Sequence, residues 1–311
     1  MSRESSSVGQ EPVDASREST TVPAREEASR RSRWRDAIPS DRLTQFGVAV
    51  VLALLMLAVF GPFVSPYDPV EQDLQHQLEA PSVEHPLGTD QLGRDVLTRL
   101  LHGARLSLGV AAAVTAVRLV VGTAVGLVAG YAGGWVDEAL MRLVDTLLAF
   151  PGIILALVIA GVLGPSLVNV MLALAVVGWA SYARLVRSSV LSLREREFVT
   201  AARLLGRSRM HVVTRHLIPN VVAPVVVLAT LDIGGVILGT AGLSFLGLGA
   251  QPPTPEWGTM LASGRNYLRE AWWLVNAPGV LIMLTVFGFN LLGDSLRDAL
   301  SPTQSAQLEQ L

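Results

Sequence analysis

REREFVTAARLLGRSRMHVVTRHLIPN, residues 194–220, is the longest polar interruption between apolar segments in the second half of the chain. It is also the only place there with dense charge. Locally it reads as two short amphipathic helices. Phe198, Ala201, Ala202 and Leu205 recur at i, i+3, i+4 and i+7 and so share one helical face. Gly206 then ends the first helix, because glycine takes the left-handed conformation without a side-chain clash. Ser208 is placed to cap the second helix, where Met210, Val213 and Leu217 form another stripe. Pro219 is expected to close it by removing a donor and pushing Ile218 out of the α region. A solvated helical hairpin between two membrane spans satisfies these features.

The rest of the chain agrees with a membrane setting. It has 311 residues, half of them apolar, which is too apolar for a soluble domain of this size. There is no cysteine, hence no disulfide framework and no thiol chemistry. All twenty-four basic residues are arginine. A phosphate-binding P-loop requires a lysine, so this chain cannot make one, and any ATP would be bound by another subunit.

Six apolar segments are each near the length that crosses a bilayer core of about 30 Å. They run 46–64, 106–130, 143–162, 167–183, 221–243 and 275–293, and helices are the natural form, since lipid offers exposed backbone no partner. Residues 1–42 are polar and read as a disordered tail. Residues 43–105 hold the first span and an external loop, 106–300 a five-helix core containing the 194–220 loop, and 301–311 a second tail. The N-terminal tail carries eight arginines and the stretch 184–215 another eight, against three between Ser65 and Arg105. The positive-inside rule therefore places both tails and the 194–220 loop in the cytoplasm.

Several residues stand out. Arg118 and Asp232 lie within spans two and five, where a charge is costly unless it pairs or faces water. They either line a substrate path or pair, with each other or with a partner chain. Asp145 is three residues from Arg142, which suggests a local ion pair. Pro151, Pro224 and Pro278 should kink their spans. From Gln91 onward the external loop looks amphipathic, as an interfacial helix feeding span two would. Trp257, Trp272 and Trp273 suit the outer membrane boundary. His76, His85 and His102 are not spaced as metal ligands on one element, and no metal site is expected. No catalytic constellation is visible.

The 194–220 stretch resembles the coupling loop of ABC importer permeases. That motif is Glu-Ala-Ala, a glycine six residues after the Glu, and Leu-Pro with the proline thirteen residues after the glycine. Thr200-Ala201-Ala202, Gly206 and Ile218-Pro219 hold this spacing, with Thr200 in place of Glu and Ile218 in place of Leu. HPLGTDQLGRDVLTRLLHGARLSL (85–108), YAGGWVDEALMRLVDTLLAFPG (131–152), LSFLGLGAQPPTPEWGTML (243–261) and FGFNLLGDSLRDALSP (287–302) resemble the C-type permeases of the dipeptide, oligopeptide and nickel importers. Thr240 stands where such proteins often carry Glu.

The resemblance implies an all-α, six-span type I importer permease fold with an N-terminal extra span, in a bacterial or archaeal plasma membrane. It implies a second homologous permease, two ATP-binding cassette subunits that use ATP and Mg, and an extracytoplasmic binding protein. It implies no enzyme activity and no cofactor or nucleic acid on this chain. Di- or oligopeptides are the expected cargo. The alternative is a proton-coupled secondary transporter using Arg118 and Asp232, against which no inverted repeat is evident.

Overall fold

The structure is a computed structural model that describes residues 42–300, with Arg203 described through its backbone alone. The tails expected at 1–42 and 301–311 lie outside the described residues, apart from Arg42.

The elements follow the apolar runs, with informative differences. The described residues open with α1 (Arg42–Val64) and α2 (Val96–Ala132). Next come α3 (Gly134–Leu148), α4 (Gly152–Leu163) and α5 (Leu167–Arg194). After these lie α6 (Glu197–Leu204), α7 (Arg209–Val212) and α8 (Ile218–Phe245). A short α9 (Trp257–Gly264) precedes the final helix, α10 (Trp273–Leu300). Among the described residues, five stretches are long and apolar enough to cross a membrane: α1, α2, α5, Arg209–Phe245 and α10. The pair α3 and α4 makes a sixth crossing if counted as one span, but it is bent by 87°.

The third span, expected at 143–162 with a kink at Pro151, is these two helices meeting at that bend. Pro151 lacks an N–H, and its ring crowds the carbonyl one turn back; at this position the helix breaks, whereas α8 and α10 run on through Pro224 and Pro278. The interfacial helix expected before span two is instead the first turns of α2. Asp95 caps it, accepting from the Thr98 amide at 2.7 Å. At 37 residues, α2 is about 55 Å long, well beyond the bilayer core. Pro219 does not end a helix either. One π-helical turn, Val213–Leu217, leads into α8, with Ile218 N–H bonded to the Val213 carbonyl five residues back. Widening the helix by one residue accommodates the proline ring.

Large apolar side chains such as Leu52, Val162, Leu172, Leu238 and Met283 point outward, while Ala104, Ala111, Ala129, Ala156, Ala160, Ala173, Ala180 and Ala183 are fully buried. This is how a bundle packs when its surroundings are lipid: small residues let backbones approach, since apolar bulk gains nothing by leaving hydrocarbon. The stripe Gly122, Gly126 and Gly130 on α2 is the clearest case. A Cβ at Gly122 would lie 2.5 Å from the Trp179 carbonyl oxygen, and one at Gly126 would lie 2.6 Å from that of Ala183, both on α5.

The 65–95 loop and α9 are tied to the end of the bundle away from residues 194–220. Arg94 Nε donates to Asp90 Oδ2 at 2.7 Å, and Arg99 Nη1 to the Pro69 carbonyl at 2.6 Å. Trp257 Nε1 donates to the Leu100 carbonyl and Trp273 Nε1 to that of Thr89. Both indoles are buried structural donors, so of the three tryptophans expected at the membrane boundary Trp272 alone is exposed.

Candidate functional site

The hairpin between α5 and α8 is built as its sequence suggests at the turn. Gly206 has φ +73°, and the Arg207 amide reaches back to the Ala202 carbonyl at 3.1 Å, closing a Schellman-type cap. The Ser208 hydroxyl accepts from the His211 amide at 3.3 Å. Among the described residues, chain neighbours aside, no heavy atom lies within 4 Å of where a Cβ on Gly206 would stand. Its backbone angle, and not crowding, is what calls for glycine.

The buried face of the hairpin differs from the expected stripe. Val199, Ala202 and Val212 form its small core against Tyr131 at the end of α2. Phe198, Leu204, Leu205 and Met210 are exposed instead, at 44%, 83%, 80% and 71%. A two-turn helix this rich in apolar residues has two usable faces, and the position of Tyr131 selects between them. Thr200, Ala201 and Pro219 are exposed, Ala202 is buried and Ile218 is on the surface. The outcome is a set of exposed apolar side chains flanking the Gly206 turn, Leu204, Leu205 and Met210, with Phe198 at the other end of the helix against the His216 ring. Arg207, Arg209 and Met210 also line a cavity of about 720 Å³ that reaches Tyr131.

A second constellation lies inside the bundle. Arg118 Nη1 and Asp232 Oδ1 are 2.8 Å apart, bringing α2 and α8 together. The Arg118 Nε and Nη2 both donate to the Leu174 carbonyl of α5, at 2.9 and 2.7 Å. The Tyr182 hydroxyl donates to Asp232 Oδ2 at 3.0 Å. Arg118 rests across Gly178, where an added Cβ would stand 2.0 Å from its Nε. The two charged side chains are 10% and 19% exposed, and both line a cavity of about 520 Å³. Phe150 and Gly152, at the break between α3 and α4, line it too. Irregular backbone at membrane depth is tolerated where it borders such a space. Pairing and cavity lining, the two alternatives for Arg118 and Asp232, are thus both present.

Tyr182 and Gly178 were missed as members of this cluster. Their only signal is helical spacing: 174, 178 and 182 stack on one face of α5. Asp145 pairs not with Arg142 but with Arg184 of α5, at 2.5 Å, while Arg142 bonds Glu138 at 3.1 Å. Neighbouring helices outcompeted the local i, i+3 geometry there. His76, His85 and His102 bond separately to Asp73, Asp95 and the Thr98 carbonyl.

Residues 122–305 match the family described as binding-protein-dependent transport system inner membrane component. Residues 32–81 match the N-terminal transmembrane domain of oligopeptide transport permease C. A dipeptide transport system permease protein of Alkalihalophilus pseudofirmus is 44% identical over 92% of this chain and 95% of its own length. One from Escherichia coli K12 is 47% identical over 82% and 87%. A nickel transport system permease protein of Escherichia coli K12 is 46% identical over 81% and 92%. None of these findings favours the proton-coupled alternative. Such permeases are multi-pass inner-membrane transport components rather than enzymes, and they work with ATPase and binding-protein partners. By the match over residues 122–305 and the extent of its similarity to these permeases, the chain belongs to the family of binding-protein-dependent transport system inner membrane components, the permease subunits of ABC importers.

Proposed function

We propose that this chain is one of two homologous permeases in an ATP-driven importer of di- or oligopeptides. An extracytoplasmic binding protein delivers the peptide. Two ATPase subunits, which hold ATP and Mg, dock on the 194–220 loop from the cytoplasm, where both tails also lie. The observation that carries this reading is the concentration of exposed apolar side chains on the short 194–220 hairpin, Phe198, Leu204, Leu205 and Met210, at the end of a membrane bundle. Such a concentration calls for a protein partner. Thr200, Ala201, Ala202, Gly206, Ile218 and Pro219 shape the loop. Through the continuous Arg209–Phe245 stretch, a push on the turn is transmitted to Asp232. That couples the docking face to the cavity lined by Arg118 and Asp232, which we assign to the translocation path. Dipeptide cargo is favoured by the names of the two relatives above that transport dipeptides.

The test is a gentle detergent pull-down of the chain from its native locus, followed by mass spectrometry. Recovery of a second polytopic permease with P-loop ATPases is the expected result. Recovery of the chain alone, active in proteoliposomes under a pH gradient, would overturn the reading.

A further inference from the structure

We infer that the Arg118–Asp232 pair is an exchangeable site for a zwitterion. When a small peptide occupies the cavity, its carboxylate takes the place of Asp232 on Arg118. Its ammonium takes the place of Arg118 on Asp232. This rests on the reading above that the cavity belongs to a peptide path.

The two ends of the pair are each held without the other. Arg118 is oriented by its two bonds to the Leu174 carbonyl and by the slot over Gly178. Its guanidinium therefore stays in place when Asp232 lets go. Asp232 keeps the Tyr182 hydroxyl when Arg118 is lost to it. These supports satisfy the donors and acceptors that any buried ion pair leaves over, and they also keep each partner in place once the other departs. Both charged groups also border the cavity of about 520 Å³, a size within the range of small-molecule pockets.

Charge balance then selects the ligand. The empty site is neutral, and it remains neutral with a zwitterion bound. Each buried charge trades one partner for another, so none is left bare. A simple anion would satisfy Arg118 and strand Asp232, and a simple cation would do the reverse. A bare divalent metal ion would be repelled by a guanidinium that cannot lose its proton. Departure is equally provided for. As the peptide leaves, Arg118 and Asp232 re-form their own contact, so the site releases its ligand instead of trapping it.

The experiment has two stages. Cells expressing the chain from its native locus are first given radiolabelled dialanine. Failure to accumulate it would sink the peptide reading itself. The intact transporter complex is then purified without binding protein and equilibrated with the same probe. Saturable binding is expected, displaced by unlabelled dialanine but not by N-acetyl-dialanine amide, which lacks both charges. In the double variant Arg118→Met with Asp232→Leu, an apolar pair of similar volume, affinity should fall by about tenfold or more. Should that complex fail to assemble, the near-isosteric Asp232→Asn should shift affinity in the same direction. The inference is overturned by unchanged affinity in a variant, by equal competition from the blocked peptide, or by no saturable binding in a complex whose cells import dialanine. A purely structural pair would leave the preference for free over blocked peptide unchanged in these variants.

Discussion

Replacing Gly206 with valine isolates the contribution of the hairpin turn. The position has φ +73° and open space around it, so a side chain there meets no neighbour. The cost is confined to the backbone. Holding an L-residue in the left-handed region costs about 1–2 kcal/mol, and a β-branched residue falls toward the upper part of a range of about 1–3 kcal/mol. The hairpin is anchored by three small buried side chains, Val199, Ala202 and Val212. Burying one valine is worth about 1.5–3 kcal/mol, so the strain is comparable to losing one anchor. About 2 kcal/mol shifts the balance between formed and opened turn by roughly 30-fold. The assay is ATPase activity of the purified complex, with and without peptide-loaded binding protein, alongside transport. Activity should fall in the order glycine, asparagine, alanine, valine, because asparagine tolerates the left-handed region best among side chains. The amount of protein in the membrane should not change, since the turn lies outside the bundle core. A valine variant that transports at the wild-type rate would refute the reasoning, as would an asparagine variant as impaired as valine.

Three further outcomes are expected. Gly126→Leu should prevent α2 from packing on α5, because even a Cβ there lies 2.6 Å from the Ala183 carbonyl oxygen; the complex should be lost from detergent extracts on size exclusion. Glu256→Gln should destabilise α9 by about 1–2 kcal/mol, measurable as a lower unfolding temperature. The buried carboxylate accepts from the Gly258 and Thr259 amides, each at 2.9 Å, and an amide cannot accept through both of its ends. In the 65–95 loop, the hydrogen bond between His76 and Asp73 raises the imidazole pKa and lowers the carboxyl pKa from their usual values. His76 should therefore titrate above about 6.5 by NMR, and His76 should lose that shift in Asp73→Asn. The sign follows from both directions. The stabilisation of this turn is lost as pH rises through the raised imidazole value, and lost again as pH falls through the depressed carboxyl value. Between the two it is greatest.

Much of the architecture was legible because it depends on single segments. The apolar runs at 46–64, 221–243 and 275–293 lie inside α1, α8 and α10, and those at 106–130 and 167–183 lie inside longer helices. Gly206 and Ser208 were readable because their roles are written in backbone preference and a local cap. At the third span Pro151 produces an 87° break, sharper than the kink its sequence suggests, and the wall of a cavity makes that break tolerable. Pro219 was misread the other way, since a π-helical turn let the helix continue.

Sequence alone determined that the chain is a bundle of membrane helices, that residues 194–220 form a glycine-hinged polar hairpin, and that Arg118 and Asp232 each had to pair or face water. Hydrophobicity, turn chemistry and the cost of burying a charge are properties of a segment and its solvent. Only the tertiary structure decided that the partner of Arg118 is Asp232, that Leu174 and Tyr182 support the two sides, and that Asp145 leaves Arg142 for Arg184. It alone chose Val199 and Ala202 over Phe198 and Leu205 as the inward face of the hairpin. The reason is that a segment's own chemistry states what each group needs, whereas which group meets that need depends on what distant segments bring within about 3 Å, the reach of a hydrogen bond.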